Sequence, residues 1–266
     1  MKIQRYGEDE RGAAAAAVLE GKLAGRMGTL HLFPIPSPYD ATDAGGAPGD
    51  YAAGYAFSPA CERALAARGV AVLDVSRDPQ FSEENARLTA LGTLGTLLTT
   101  QKTDPADLSV GIVGYGRIGR ELLRLLLFLG ARCRVYTASP DKRRELGSFG
   151  IESEDSAPAG RGGRFSDLDL LINTAPARLI LPEEGEALSS VRVIELASGD
   201  NLPPTVRCER LSSVPAVCFP KSAGAVYATA ILRMMEESRT EKAHKDEAQT
   251  DGTKTKNAPR GRKSHE

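Results

Sequence analysis

Three glycines, Gly114, Gly116 and Gly119, stand between an apolar run at 110–113 and a Leu-rich amphipathic stretch that ends at Gly130. Strand, glycine turn and helix in that order form the arrangement that takes a dinucleotide. The first glycine permits the tight turn, the second lets backbone approach a pyrophosphate, and the third lets the helix pack close to the strand. The helix N-terminus adds free N–H groups and a positive dipole end. Gly114, Tyr115, Gly116, Arg117, Ile118 and Gly119 are therefore the first expected cofactor contacts, against the plain alternative of an ordinary strand-to-helix turn.

The next strand, expected over 132–137, ends in Thr137-Ala138-Ser139 and runs into Asp141, Lys142, Arg143 and Arg144. An NAD enzyme places an acidic side chain at this strand end to bond the ribose hydroxyls. Hydroxyls and cations, Arg143 among them, suit a 2′-phosphate instead. The expected cofactor is NADP rather than NAD. Asp141 is the rival if the loop folds back, and a solvated helix start is the plain reading of the basic run.

Two further apolar runs, 168–172 and 191–196, end in Asn173-Thr174-Ala175-Pro176 and Ala197-Ser198-Gly199-Asp200. Ligands of doubly wound sheets sit beyond the carboxyl ends of the strands. Asn173, Thr174, Ala175 and Ala197 thus join the cofactor-contact set. Thr174 either touches the nicotinamide or caps its strand. Pro220-Lys221-Ser222 opens an apolar helix, with Ser222 as the expected N-cap. The Lys221 ammonium, the Ser222 hydroxyl and the free N–H groups there would hold a substrate carboxylate. Thr174 and Lys221 are the catalytic candidates. Asn85 and Thr89, one turn apart on a helix, either face the cleft as substrate contacts or form a polar helix face. No base is marked. His31 lies in an expected strand and reads as structural, and His244 and His265 fall in the C-terminal tail. That weighs against a 2-hydroxyacid dehydrogenase, which uses a His–carboxylate pair in its cleft.

The elements that must carry these residues alternate strand and helix. The fold class expected is α/β, a doubly wound parallel (Rossmann) sheet with a smaller, reduced N-terminal α/β domain. The N-terminal domain spans 1–81, with strands at 2–6, 29–33 and 70–75 and helices from Asp9 to about Leu23 and from Ser58 to Arg68. A long Gly-, Pro- and Asp-rich loop fills 37–54, mobile or a lid. A linking helix covers 82–104 with Ser82 as N-cap, and the nucleotide-binding domain covers 105–221. Within it, 141–149 and 182–188 read as helices, 153–163 as a low-complexity loop, and 206–211 and 216–219 as short strands. A helix at 222–236 packs at the domain cleft. From 237 to 266 almost nothing is apolar, which reads as a disordered tail.

The totals narrow the class. The 266 residues carry a formal net charge of −1, no Trp and 5% aromatic residues. No global field favours nucleic acid or membrane, and base-stacking platforms are absent. The four cysteines, Cys61, Cys133, Cys208 and Cys218, show no metal or disulfide spacing, which fits a reducing compartment. No secretory signal and no membrane-length apolar run is visible, so a soluble, cytoplasmic protein without a metal is expected.

With those motifs in place, the chain from about 70 to 235 resembles the A subunit of dipicolinate synthase, an enzyme of spore-forming bacteria. The resemblance rests on Asn85-x-x-x-Thr89-x-x-Gly92, Gly114-x-Gly116-Arg117-x-Gly119, Ile172-Asn173-Thr174-x-Pro176, Glu195-Leu196-Ala197-Ser198 and Phe219-Pro220-Lys221-Ser222-Ala223-Gly224. Asp9-x-Arg11 matches a similar pair near the family's N-terminus more weakly. Three departures stand out. Leu91 replaces a carboxylate of the linking helix, Gly199-Asp200-Asn201 replaces a Pro-Gly-Gly turn, and the N-terminal domain reads about one strand short. The resemblance implies oxidation of a cyclic dicarboxylate, a hydroxy-tetrahydrodipicolinate, with a nicotinamide acceptor. It also implies a partner, a flavoprotein-like B subunit, and a place in the sporulating mother cell. Another NAD(P)-dependent dehydrogenase and a non-catalytic nucleotide-binding subunit remain the alternatives.

Overall fold

The computed structural model describes residues 1–37, 45–157 and 163–254. Its first domain is a four-stranded parallel sheet in the order β1-β2-β3-β4: β1 (Lys2–Arg5), β2 (Thr29–Leu32), β3 (Tyr51–Gly54) and β4 (Ala71–Asp74). Helix α1 (Glu10–Lys22) follows β1, and α2 (Pro59–Ala67) precedes β4. Asp9 caps α1 by accepting from the Gly12 amide at 2.8 Å, and Ser58 caps α2 by accepting from the Cys61 amide at 3.1 Å. The strand β3 lies inside the stretch expected to be loop. The domain therefore has four strands where the sequence reading found three, and residues 38–44 of that stretch lie outside the described residues.

Helix α3 (Pro79–Thr100) joins the domains. Its N-cap is Asp78, which accepts from the Gln80 and Phe81 amides. The helix thus begins one turn before the expected Ser82 cap, because Asp78-Pro79 already supplies both cap and first helical residue.

The second domain is a six-stranded parallel sheet. It comprises β5 (Ser109–Val113), β6 (Arg132–Tyr136), β7 (Glu152–Glu154), β8 (Leu170–Asn173), β9 (Arg192–Glu195) and β10 (Glu209–Arg210). The spatial order is β10-β9-β8-β5-β6-β7, so the chain starts in the middle and winds outward both ways, as in the dinucleotide-binding fold. Helices α4 (Arg117–Phe128) and α5 (Pro140–Ser148) place Leu122, Leu126 and Leu146 against Val110, Ile112 and Ile172. On the opposite face Tyr136, Leu171 and Val193 are covered by the segment carrying Phe165, Ile180 and Leu188. That segment is irregular: the expected helix at 182–188 is only a 3-10 turn, Pro182–Glu184. Arg164 and Glu184 meet there at 2.8 Å, both buried, as an ion pair without hydrogen-bond geometry.

Two short elements differ from expectation near the end. The stretch 206–211 contributes only β10, and 216–219 belongs not to a strand but to α6 (Val214–Cys218), with Pro215 in its first turn. Helix α7 (Pro220–Lys254) then turns back to the first domain. Tyr227, Ala228, Ile231 and Met235 complete the core formed by Ala15, Leu19, Leu30 and Phe81. The Tyr227 hydroxyl donates to the carbonyls of Phe33 and Ala53 at 2.9 and 3.0 Å. Gly224 makes this crossing possible, since a Cβ there would stand 2.5 Å from Ala14 Cβ and 2.7 Å from the Arg11 carbonyl. The helix expected to pack at the cleft is thus the closing element of the first domain's core. It continues to Lys254, so the segment from 237 is helical that far rather than disordered; residues 255–266 lie outside the described residues.

Candidate functional site

Strand β5 runs into Gly114 at φ +98°, the left-handed region that glycine enters without strain. A Cβ at Gly119 would stand 2.2 Å from the Gly114 carbonyl oxygen, so the first turn of α4 lies directly on the loop. A Cβ at Gly116 would meet nothing within 4 Å. Two of the three glycines serve packing, and the third faces open space beside the N-terminus of α4, which has no side-chain cap. This cradle fits a pyrophosphate: free N–H groups, a helix dipole and no side chain in the way.

The rest of the expected cofactor set gathers around it. Tyr115 packs its ring on the core, and its carbonyl accepts from Lys142 Nζ at 3.0 Å. Thr137 is buried, Ala138 is exposed, and Ser139 caps α5. Arg143 donates to the Thr137 carbonyl at 2.5 Å and pairs with Asp155 at 3.1 Å. Arg144 pairs with Asp141, which occupies the ribose rival. Arg117 reaches away to Glu83 on α3 at 2.9 Å. The Thr174 hydroxyl donates to the carbonyls of Val113 and Gly114 at 3.0 and 3.3 Å, so it is committed to holding β8 against the turn. Asn173 is buried, and its Nδ2 donates to both oxygens of Glu195 at 3.1 Å, while the Ala175 amide donates to its Oδ1.

Next to the cradle a cleft of about 380 Å³ opens between the two domains. Arg11, Ile35 and Tyr55 line it from the first domain, and Asn85 and Thr89 from α3. Ile118, Glu195, Ala197, Ser198, Arg210 and Ser213 line it from the second. Ser213 sits at φ +50°, a left-handed conformation that a side-chain-bearing residue rarely holds without tertiary constraint. Arg11 is 3% exposed, its Nε has no hydrogen-bond partner, and burial lowers its pKa against the pull of Asp9 and Tyr227. A nearly buried guanidinium with an open donor on a cleft wall is poised for an anion. Arg210 is anchored to the Gly199 carbonyl at 2.9 Å and to Asp200 at 3.2 Å.

The structure brings Asn85, Thr89, Ile118 and Ala197 together in this cleft, beside the glycine turn. Lys221 and Ser222 stay apart: both are exposed and neither lines the cleft. Ser222 is not the N-cap either, because α7 begins at Pro220 and the Ala223 amide already bonds the Phe219 carbonyl at 2.8 Å. The three charged lining residues, Arg11, Glu195 and Arg210, escaped the sequence-based site set. Arg11 and Glu195 stood in recognisable sequence patterns, but nothing local marked either as buried in a cleft. Among the described residues no histidine lines the cleft. His31 is buried in the first sheet, with Nδ1 2.9 Å from the Tyr6 hydroxyl and Nε2 3.6 Å from Asp50.

A slightly larger groove, about 410 Å³, lies at the opposite ends of the strands. Its Arg134 is held by Asp167 and Glu152 at 3.0 Å each, and burial pushes the Cys133 thiol up to about 12, so it presents neither a free charge nor a reactive thiol. The interdomain cleft is the candidate site.

No family model and no curated protein matches this sequence. Solved structures do match its fold. The A subunit of dipicolinate synthase from Bacillus halodurans superposes with a TM-score of 0.71 at 17% identity, covering 88% of this chain and 97% of that one. The corresponding dipicolinate synthase protein from Bacillus subtilis gives 0.71 at 14% identity, covering 91% and 97%. A transhydrogenase from Sinorhizobium meliloti gives 0.65 at 15% identity, covering 90% and 94%. The fold is thus the α/β Rossmann-like dehydrogenase fold. Among the described residues no helix is long and apolar enough to cross a membrane.

Proposed function

We propose that this chain is a nicotinamide-dependent oxidoreductase like the A subunit of dipicolinate synthase, acting on a cyclic dicarboxylate of the hydroxy-tetrahydrodipicolinate type. The observation that carries this is the pair of guanidiniums, Arg11 and Arg210, lining one small cleft from opposite domains beside the dinucleotide cradle. Two carboxylates on one ring match two cations on two walls. Asn85 and Ser198 line the same cleft and offer polar contacts to the ring substituents. The dinucleotide, when bound, supplies the two-electron acceptor. Gly116 and the N-terminal amides of α4 hold its pyrophosphate. NADP is favoured over NAD through Lys142, which rests on a carbonyl beside Thr137 and Ser139; Arg143 and Arg144 already have carboxylate partners and contribute less. The absence of a lining histidine among the described residues weighs against the 2-hydroxyacid dehydrogenase reading. The cytoplasm of a sporulating mother cell and a flavoprotein-like B subunit belong to the same proposal.

The test is co-expression with such a B subunit, following NADPH formation and dipicolinate. On the isolated chain, dipicolinate should bind the NADPH complex, and Arg11→Ala should weaken it about ten- to hundredfold, as loss of a charge-assisted contact of roughly 1.5–3 kcal/mol implies. Binding of dipicolinate unchanged by Arg11→Ala would remove the observation on which the proposal stands.

A further inference from the structure

Glu195, the last residue of β9, is 1% exposed yet lines the cleft. Both of its oxygens accept from Asn173 Nδ2, and Oε1 also accepts from the Ala197 amide at 2.9 Å. No cation comes within 4.0 Å of it among the described residues. A strut that only tied β8 to β9 would need no charge there, since one amide oxygen can accept the Asn173 and Ala197 bonds made to Oε1, and a buried carboxylate with no cation in contact is a costly way to make them. Burial pushes its carboxyl above the usual range, although Asn173, the Ala197 amide, Arg210 and Asn201 pull the other way. The remaining ionisable groups on the cleft walls are Arg11, Arg210 and Tyr55. None of them is a base near neutral pH.

We propose that Glu195 is the proton acceptor of the cleft. This rests on the oxidoreductase reading above. The substrate's hydroxyl and a ring proton are lost as water, which leaves a dihydropyridine. A ring C–H hydrogen then leaves with its electron pair to the bound nicotinamide, the proton of a neighbouring ring atom goes to a Glu195 oxygen, and the ring is left aromatic. Asn173 and the Ala197 amide keep the carboxyl oriented while it gains the proton. A carboxyl tuned upward is the better base for this step near neutral pH.

The test uses the full chain and the dinucleotide alone. NADP⁺ and NADPH share every group except the nicotinamide, and only the oxidised ring carries a positive charge. Binding that charge beside Glu195 ionises the carboxyl, so NADP⁺ should release more protons than NADPH. Calorimetric titration over a pH series from about 4 to 8, in two buffers of different protonation enthalpy, counts them. Glu195→Gln should abolish the difference, leave the NADPH dissociation constant within about threefold and weaken NADP⁺ selectively. Equal proton release by the two forms on the wild-type chain would overturn the assignment, and this comparison needs no variant to fold. A difference that survives Glu195→Gln would overturn it too. If the proton difference vanishes in Glu195→Gln but no hydroxy-tetrahydrodipicolinate is oxidised by the wild type together with the B subunit, the substrate reading falls and Glu195 stands. If Glu195→Gln oxidises that substrate at the wild-type rate, the substrate reading stands and Glu195 falls.

Discussion

Gly116 and Gly119 differ in what a methyl group would meet. At Gly116 it would enter open space, at a φ of −88° that any residue adopts. At Gly119 it would strike the Gly114 carbonyl at 2.2 Å. Gly116→Ala should therefore keep the melting temperature and lower dinucleotide affinity by about tenfold, the effect of crowding one charge-assisted contact out of reach. Gly119→Ala should lower both, by an overpacking penalty of about 1–3 kcal/mol on stability. Thermal melts beside dinucleotide titrations of the two variants separate these outcomes. The strand–turn–helix geometry of the glycine turn was readable in the sequence because its causes are local. Arg11 was not readable as a site residue. The weak Asp9-x-Arg11 match marked the residue but not its burial, which comes only from the return of α7 over α1.

The elements show the same division between local and distant causes. α1, α2, α4 and α5 carry their own caps or periodicity, and β5, β6, β8 and β9 their own apolar runs. β3 is Tyr-Ala-Ala-Gly, a poor strand by propensity. It forms because β2 and β4 bond it on both sides. α6 reads as a strand from its Val, Cys and Phe, and becomes a helix where it crosses α3: a Cβ on Gly92 would stand 2.4 Å from Val214 Cγ1. The N-terminus of α3 holds a further test. Asp78 caps it and also pairs with Arg233 of α7, with Arg233 Nε at 3.1 Å. Burial alone would raise the Asp78 carboxyl, but Arg233 and the Phe81 and Gln80 amides hold it below the usual range. A depressed carboxyl contributes its stability above its unfolded-state pKa and loses it as pH falls through the native one. Asp78→Asn keeps a capping oxygen but loses the charge. It should cost about 1 kcal/mol at pH 7, since Arg233 is partly exposed, and thus lower the melting temperature by about 2–4 °C. The gap to wild type should close in acid, and denaturant melts against pH would read it. A gap unchanged at low pH would mean that the charge is not what matters.

At the scale of the whole molecule, the first domain is discontinuous: β1 to β4 come from one end of the chain, and its closing helix from the other. Met235 is the last residue in that core. A chain ending at 240 should keep its melting temperature within about 2 °C, because a loss of even 1 kcal/mol shifts a chain of this size by about that much or more. A chain ending at 226 loses Tyr227, Ile231 and Met235, and should fail to give a cooperative transition for the first domain, as read by circular dichroism and calorimetry. Equal melting of the two truncated chains would show that the core closes without α7.

That return also sets an order of events at the ribosome. A domain made of contiguous chain can condense as soon as it leaves the tunnel, at a synthesis pace of about 5–20 residues per second. The second sheet satisfies that condition from β5 to β10. The first sheet emerges earlier but waits, its apolar face uncovered, until the final helix is made. The part translated first is therefore finished last. Arg11, which lies under α7, reaches its place only then, so an incomplete chain holds the glycine turn but no cleft beside it.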